Sequence, residues 1–294
     1  MLSAFLFAFT CVSNGAVSKT TESLNLGETV VSVNIYENAG ARITLFAPHF
    51  NEKIARRSAL EFVAENGGRF IEIESVNEKG GASRNLNFKL SGRNYSVDPN
   101  RIFTENGRNC ALSGEVNAAV KRFADSLLKL IFAPDTAALR NGENFVVAVH
   151  NNSDFTAQAS AGKNLTAHAF IKTAGGESFS HGAYQEQAEG VYLSNEEDDA
   201  DNFIFLSTAK YVSHFAERGF NIVIQKSPAR LNTKKCTIDD GSLSVYSAQH
   251  SIEYICLEAD ARSGAARQKQ MLDAVLALTD QEEPDQTKLT AKDH

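Results

Sequence analysis

The sequence predicts an α/β protein, a three-layer α/β/α sandwich around a mixed, mostly parallel sheet. Short β-branched runs alternate with segments of helical spacing along most of the chain, the pattern of helices covering both faces of a sheet. The run "NFVVAVH" (144–150) is continuously apolar until its last residues, as in a strand buried on both faces. "NFIFLST", "AKYVSHFAERG" and "FNIVIQ" then follow in β–α–β order, which implies a parallel pair.

The elements follow in order. Residues 1–15, "MLSAFLFAFTCVSNG", carry an apolar run and then small residues suited to cleavage before Ala16, so they read as a signal peptide, although the usual positive start is missing. A first buried strand or helix is the other reading of that run. After a polar lead-in, "TVVSVNIY" and "ARITLFAP" read as a hairpin turning at "ENAGA". Between Glu52 and Glu65, Ile54, Ala55, Ser58, Ala59, Phe62 and Val63 recur at helical spacing, "NGG" stops the helix, and "RFIEIESV" returns to a strand. "TENGRN" reads as a surface loop, and 115–132 as a second helix. "SLSVYSAQH" and "EYICLEA" are expected to form a late hairpin before a terminal helix over 264–278. Residues 16–279 make a single domain, and the charged tail 280–294 is expected to be disordered. The acidic loop "SNEEDDADN" (194–202) reads as solvated surface, or at most a weak cation site.

Composition removes some functions. With 43% hydrophobic and 22% charged residues and a net charge of −7, the chain has no basic footprint for nucleic acid. No segment approaches the ~18 apolar residues of a membrane span, so no transmembrane segment is expected in the mature chain. Cleavage of the leader implies a secreted or periplasmic protein, and its retention a cytoplasmic one. Loss of Cys11 leaves Cys110, Cys236 and Cys256, an odd number that argues against a disulfide framework. A single bridge between Cys236 and Cys256, flanking the late hairpin, and free thiols stay equally open.

The chemistry gathers at strand ends. His49-x-x-Glu52 follows "TLFAP", and a turn after a strand can bring both side chains onto one cation. His150 ends the buried strand and would emerge at the same edge. Two histidines and one carboxylate with a position left for water form a standard catalytic zinc set. His168, His181, His214 and His250 lack such a strand-end context. In "LSGRNYSVDPNRIFTENG", Arg93, Asn100 and Arg101 can bind a carboxylate through guanidinium forks and a directional amide. An Asp98-Pro99 turn capped by Asn100, with Arg101 paired to a surface acid, is the plainer alternative.

In that order, His49-x-x-Glu52, Arg93 through "VDPNR", and His150 resemble the zinc carboxypeptidase superfamily, including its succinylglutamate desuccinylase and aspartoacylase branch. The resemblance spans about residues 30–278, carried by these short motifs alone. It implies one Zn2+ held by His49, Glu52 and His150, and a substrate carboxylate held by Asn100 and Arg101. It also implies a catalytic glutamate from a late strand, where "EYICLEAD" offers Glu258; Glu253 lies at that strand's start, the wrong end. The sequence departs from the acylase branch in having "HFNE" for the usual "HGNE", with bulky Phe50 in place of glycine, and in "VHNN" after the strand.

By this resemblance Glu258 moves the proton and Arg93 faces the developing oxyanion. The expected substrate is a small peptide or acylated amino acid with a free carboxylate. An extracytoplasmic location favours a metallocarboxypeptidase, with cell-wall peptides as one class of substrate. An N-acyl amino acid deacylase and a non-catalytic carboxylate-binding module are the alternatives.

Overall fold

A computed structural model describes residues 16–281, apart from 133–143, 153–187, 193, 196, 200, 232, 233 and 237. The leader, His168, His181 and the tail beyond residue 281 lie outside the described residues.

The amino-terminal half forms β1 (Ser18–Leu26), β2 (Thr29–Asn38), β3 (Ile43–Ala47), α1 (Lys53–Asn66), β4 (Gly68–Ile73), β5 (Leu86–Leu90), β6 (Arg93–Val97), α2 (Glu105–Ala111) and α3 (Gly114–Ile131). The remainder forms β7 (Phe145–Asn152), β8 (Ala188–Tyr192), β9 (Phe203–Leu206), α4 (Val212–Ala216), β10 (Ile222–Gln225), α5 (Pro228–Leu231), α6 (Leu243–Gln249), β11 (Tyr254–Asp260) and α7 (Ala265–Gln281). Nine strands make one sheet in the order β1-β2-β4-β3-β7-β11-β9-β10-β8, and β5 pairs with β6 apart from it.

The sheet is mixed. Its centre, β4-β3-β7-β11, is parallel, while β1, β2 and β9 join their inner neighbours antiparallel. Each face carries its own core, as the three-layer expectation requires. Phe46, Val146, Ala148 and Tyr254 pack with Phe123, Leu127 and Ile131 of α3. On the other face Leu45, Val147, Val149 and Leu257 pack with Ala59, Phe62, Phe215 and Met271 of α1, α4 and α7. Alternation along each central strand thus sends odd and even residues into different cores. Among the described residues no helix is long and apolar enough to cross a membrane.

Several local expectations change. β2 and β3 are not a hairpin: β4 lies between them, antiparallel to β2 and parallel to β3. The polar lead-in is instead β1, the true hairpin partner of β2. "TENGRN" enters α2, started by the Thr104 side chain accepting from the Gly107 N–H at 3.0 Å. "SLSVYSAQH" is the helix α6, started likewise by Ser242. The terminal helix continues to Gln281, past the expected end of the domain. In the acidic loop, Asp198 pairs with Arg267 of α7 at 2.5 Å, which ties the loop down.

The expected cysteine pair is also corrected. Cys236 bonds to Cys110, with Cα atoms 5.8 Å apart, and Cys256 is free and buried in β11. The late hairpin that would have aligned Cys236 with Cys256 does not exist. Instead the loop before α6 packs on α2, where Gly107 meets Gly241 so closely that a Cβ on Gly107 would lie 2.1 Å from the Gly241 Cα.

The bridge spans a sequence separation of 126 residues. Chain-entropy reasoning for so long a loop predicts that Cys110→Ser with Cys236→Ser lowers stability by about 2–5 kcal/mol. Denaturant unfolding of parent and double variant under identical conditions measures this.

Candidate metal centre

Three adjacent parallel strands set the site. β3, β7 and β11 lie side by side, so their carboxyl ends open at one edge of the sheet. His49 follows β3, His150 lies late in β7, and Glu258 stands directly beside His150 in the register of β11.

His49 and Glu52 are joined by a tight turn, in which the Glu52 N–H donates to the His49 carbonyl at 3.2 Å before α1 begins. The turn brings His49 Nδ1 to 2.7 Å from Glu52 Oε1. From β7, His150 Nδ1 lies 3.2 Å from Glu52 Oε2. Ligand atoms of all three residues lie within 4.8 Å of one another, and all three residues are buried. For tetrahedral bonds of ~2.0–2.1 Å, ligand atoms sit about 3.3 Å apart, so this donor set suits zinc. His150 Nε2 is buried without a hydrogen-bond partner.

Glu52 stands at the N-cap of α1 but caps nothing with its side chain. That role passes to Asn151, whose Oδ1 accepts from the Ala55 N–H at 2.9 Å, while the Asn151 N–H donates to Glu52 Oε2 at 3.1 Å. Asn151 therefore locks β7 to α1 and holds the carboxylate. Phe50, where the acylase branch usually has glycine, lies under the Arg56 guanidinium, 3.6 Å from ring centre to carbon.

The other nitrogen of His49 is held as well. His49 Nε2 lies 2.9 Å from Asp98 Oδ1, the arrangement by which a carboxylate orients a metal-binding imidazole. Arg84 reaches over both acids, donating from Nη1 to Glu52 Oε1 at 2.9 Å and placing Nε 3.4 Å from Asp98 Oδ2. Burial would raise the pKa of Glu52, but His49 and His150 hold it far below the usual carboxylate range. Asp98 is likewise held low against burial by His49, Arg84 and Arg101. Burial pulls His49 down, and Glu52 and Asp98 together outweigh that and raise it. Glu258 is pushed up by burial, with His150 opposing and Glu52 adding to the rise.

The predicted residues thus separate into groups. His49, Glu52, His150 and Glu258 meet at the edge. Asn100 and Arg101 stand beside them through Asp98, with both side chains engaged: Asn100 Oδ1 accepts from the Leu243 N–H at 3.2 Å, and Arg101 pairs with Asp240 at 3.2 Å. Arg93 is not brought in. It opens β6, exposed, opposite Leu90, and the extended run to Asp98 is about 16 Å at ~3.3 Å per residue. Glu253 lies at the other end of β11 with Lys210 and Tyr211. His214 and His250 bind backbone carbonyls of Ala274 and Tyr246.

Sequence reasoning passed over Arg84, Asp98, Asn151 and Cys256 as side chains of the site. Cys256 was legible, since two residues before Glu258 on a strand means the same face. Arg84, in a Gly- and Asn-rich turn, carries no periodic signal.

No protein-family model and no curated protein matches the chain. Among solved structures, a candidate metallopeptidase from Shewanella denitrificans OS217 aligns with TM-score 0.40 and 12% identity over 90% of this chain and 82% of that one. A succinylglutamate desuccinylase from Chromobacterium violaceum aligns with TM-score 0.42 and 11% identity over 91% and 70%. The ectoine utilization protein of Ruegeria pomeroyi, in its apo form, aligns with TM-score 0.41 and 12% identity over 92% and 69%.

Asn151→Ala removes a buried acceptor and leaves the Ala55 N–H without it. The expected loss is about 1–3 kcal/mol of folding stability, measured by denaturant unfolding.

Proposed function

We propose that the protein is a zinc-dependent hydrolase that cleaves an amide or peptide bond close to a free carboxylate. The observation that carries this reading is the convergence of His49, Glu52 and His150 within 4.8 Å, with Glu258 next to His150. A zinc ion held by those three residues would supply a Lewis acid for the scissile carbonyl and a lowered pKa for attacking water.

The chain's own residues do the rest. Glu258 takes the proton of the attacking water and hands it to the leaving amine, and its buried setting makes it a better base than an exposed glutamate. Arg84 places fixed positive charge at the site's mouth, where a developing oxyanion needs it, and takes the role expected of Arg93. Arg101 and the Asn100 amide hold the substrate's carboxylate, with the Asp240 partner of Arg101 yielding to it. This clamp fixes which bond meets Glu258.

A metallocarboxypeptidase acting on small peptides, cell-wall peptides among them if the leader is cleaved, is the first reading of the substrate. An N-acyl amino acid deacylase is the second, and hydrolysis of acylated single amino acids alone would select it. A non-catalytic carboxylate-binding module predicts metal binding without turnover of either class.

Elemental analysis of the full chain is expected to find about one zinc per protein, lost in His49→Ala and in His150→Ala. A folded parent that stays metal-free in excess zinc sinks the reading. Glu258→Gln should keep the metal and lose at least about 10²-fold in kcat. Arg84→Gln should cost about 10²–10³-fold in kcat, with Arg93→Gln close to the parent. Equal losses in both arginine variants would return the oxyanion role to Arg93.

A further inference from the structure

On the sheet face that bears α3, Tyr254, Cys256 and Glu258 follow one another at the two-residue period of β11, and His150 stands beside Glu258 on β7. Cys256 Sγ donates toward Glu258 Oε1 at 3.5 Å. His150, Cys256 and Glu258 are all buried, and one ligand atom from each lies within 4.8 Å of the others. The His150 Nε2, buried and without a hydrogen-bond partner, belongs to the residue that this set shares with His49 and Glu52.

We propose that His150, Cys256 and Glu258 form a second, sulfur-containing cation site, which takes thiophilic ions such as cadmium and draws them away from the His49–Glu52 side. The inference rests on the reading of this pocket as a metal centre. The two sets differ in softness: one offers imidazole and carboxylate alone, the other adds a thiolate, and soft cations follow the thiolate. On binding, the Cys256 Sγ–H bond breaks, an Sγ–metal bond forms, and the proton leaves to solvent. An ion there engages Glu258 and His150 together, so it disables the proposed base and removes one ligand of the first set.

The consequence is that zinc and softer ions select different halves of one cluster. Zinc, at home with either donor type, is held by the set with two imidazoles and the anchored Glu52. Cadmium moves toward β11.

The test uses the full chain carrying Cys11→Ser, so that with the Cys110–Cys236 bridge intact Cys256 is the free thiol that remains. Cadmium is titrated into metal-free protein while sulfur-to-cadmium charge-transfer absorption is followed in the ultraviolet. Zinc content is measured on the same preparation, and circular dichroism checks the fold of every variant. The expected result is a saturable band at about one equivalent, retained in His49→Ala and lost in Cys256→Ser, with cadmium binding in Cys256→Ser weaker by at least about tenfold, the low end of losses seen even for outer-shell changes. Cys256→Ala stands in if the serine variant does not fold. Absence of the band in the parent, its survival without Cys256, or its loss in His49→Ala overturns the separate site. A parent that binds zinc but shows no band fails this inference alone; one that binds neither ion fails the metal-centre reading as well.

Discussion

The Glu52 carboxylate is the constraint on which the carboxyl edge of the sheet depends. It is buried, and its two oxygens are shared by His49, His150, Arg84 and the Asn151 N–H. An ionised carboxylate without such partners costs several kcal/mol in a protein interior. The partners come from three separate stretches of chain, so satisfying this one group requires β3 beside β7, α1 starting immediately after the turn, and the segment ahead of β5 folded over the edge. Asn151 is the hinge of this arrangement, because its backbone serves the carboxylate while its side chain serves the helix.

Charge balance explains why the arrangement suits a cation. Glu52, Asp98 and Glu258 converge with two imidazoles and the Arg84 guanidinium, and Arg101, although paired with Asp240, also acts on Asp98. Both nitrogens of His49 face carboxylates, which favours its charged form in the absence of an ion. A divalent cation would take over that compensating role and release His49 to act as a neutral ligand oriented by Asp98. Glu258 differs from the other two acids because burial dominates its surroundings and raises it, whereas they are held down by cationic neighbours.

Legibility followed the range of the physical signal. The apolar run of β7 and the helical spacing of α1 and α3 are short-range records of burial, and these elements were readable to within a residue or two. β1 was missed because, as an edge strand exposed on both faces for most of its length, "SKTTESLNL" shows no apolar alternation. α2 and α6 are too short to display a helical stripe, and their starts rest on the single hydroxyls of Thr104 and Ser242. The supposed hairpin of β2 and β3 failed because a turn signal says that the chain reverses locally, not which strand will enter the gap.

By itself the sequence determined that histidine and glutamate would share a turn after a strand, that a second histidine would end a buried strand, and that a late strand would carry a glutamate. Each of these is a property of a few consecutive residues and of the period of their backbone. Tertiary structure alone decided that β3, β7 and β11 are neighbours, that Arg84 rather than Arg93 overlies the acids, that Asn151 caps a helix from a distant strand, and that Cys236 joins Cys110. Those choices depend on sheet order and on which distant groups can satisfy a buried charge or an unpaired N–H, and no local pattern records the identity of a partner that arrives from tens of residues away.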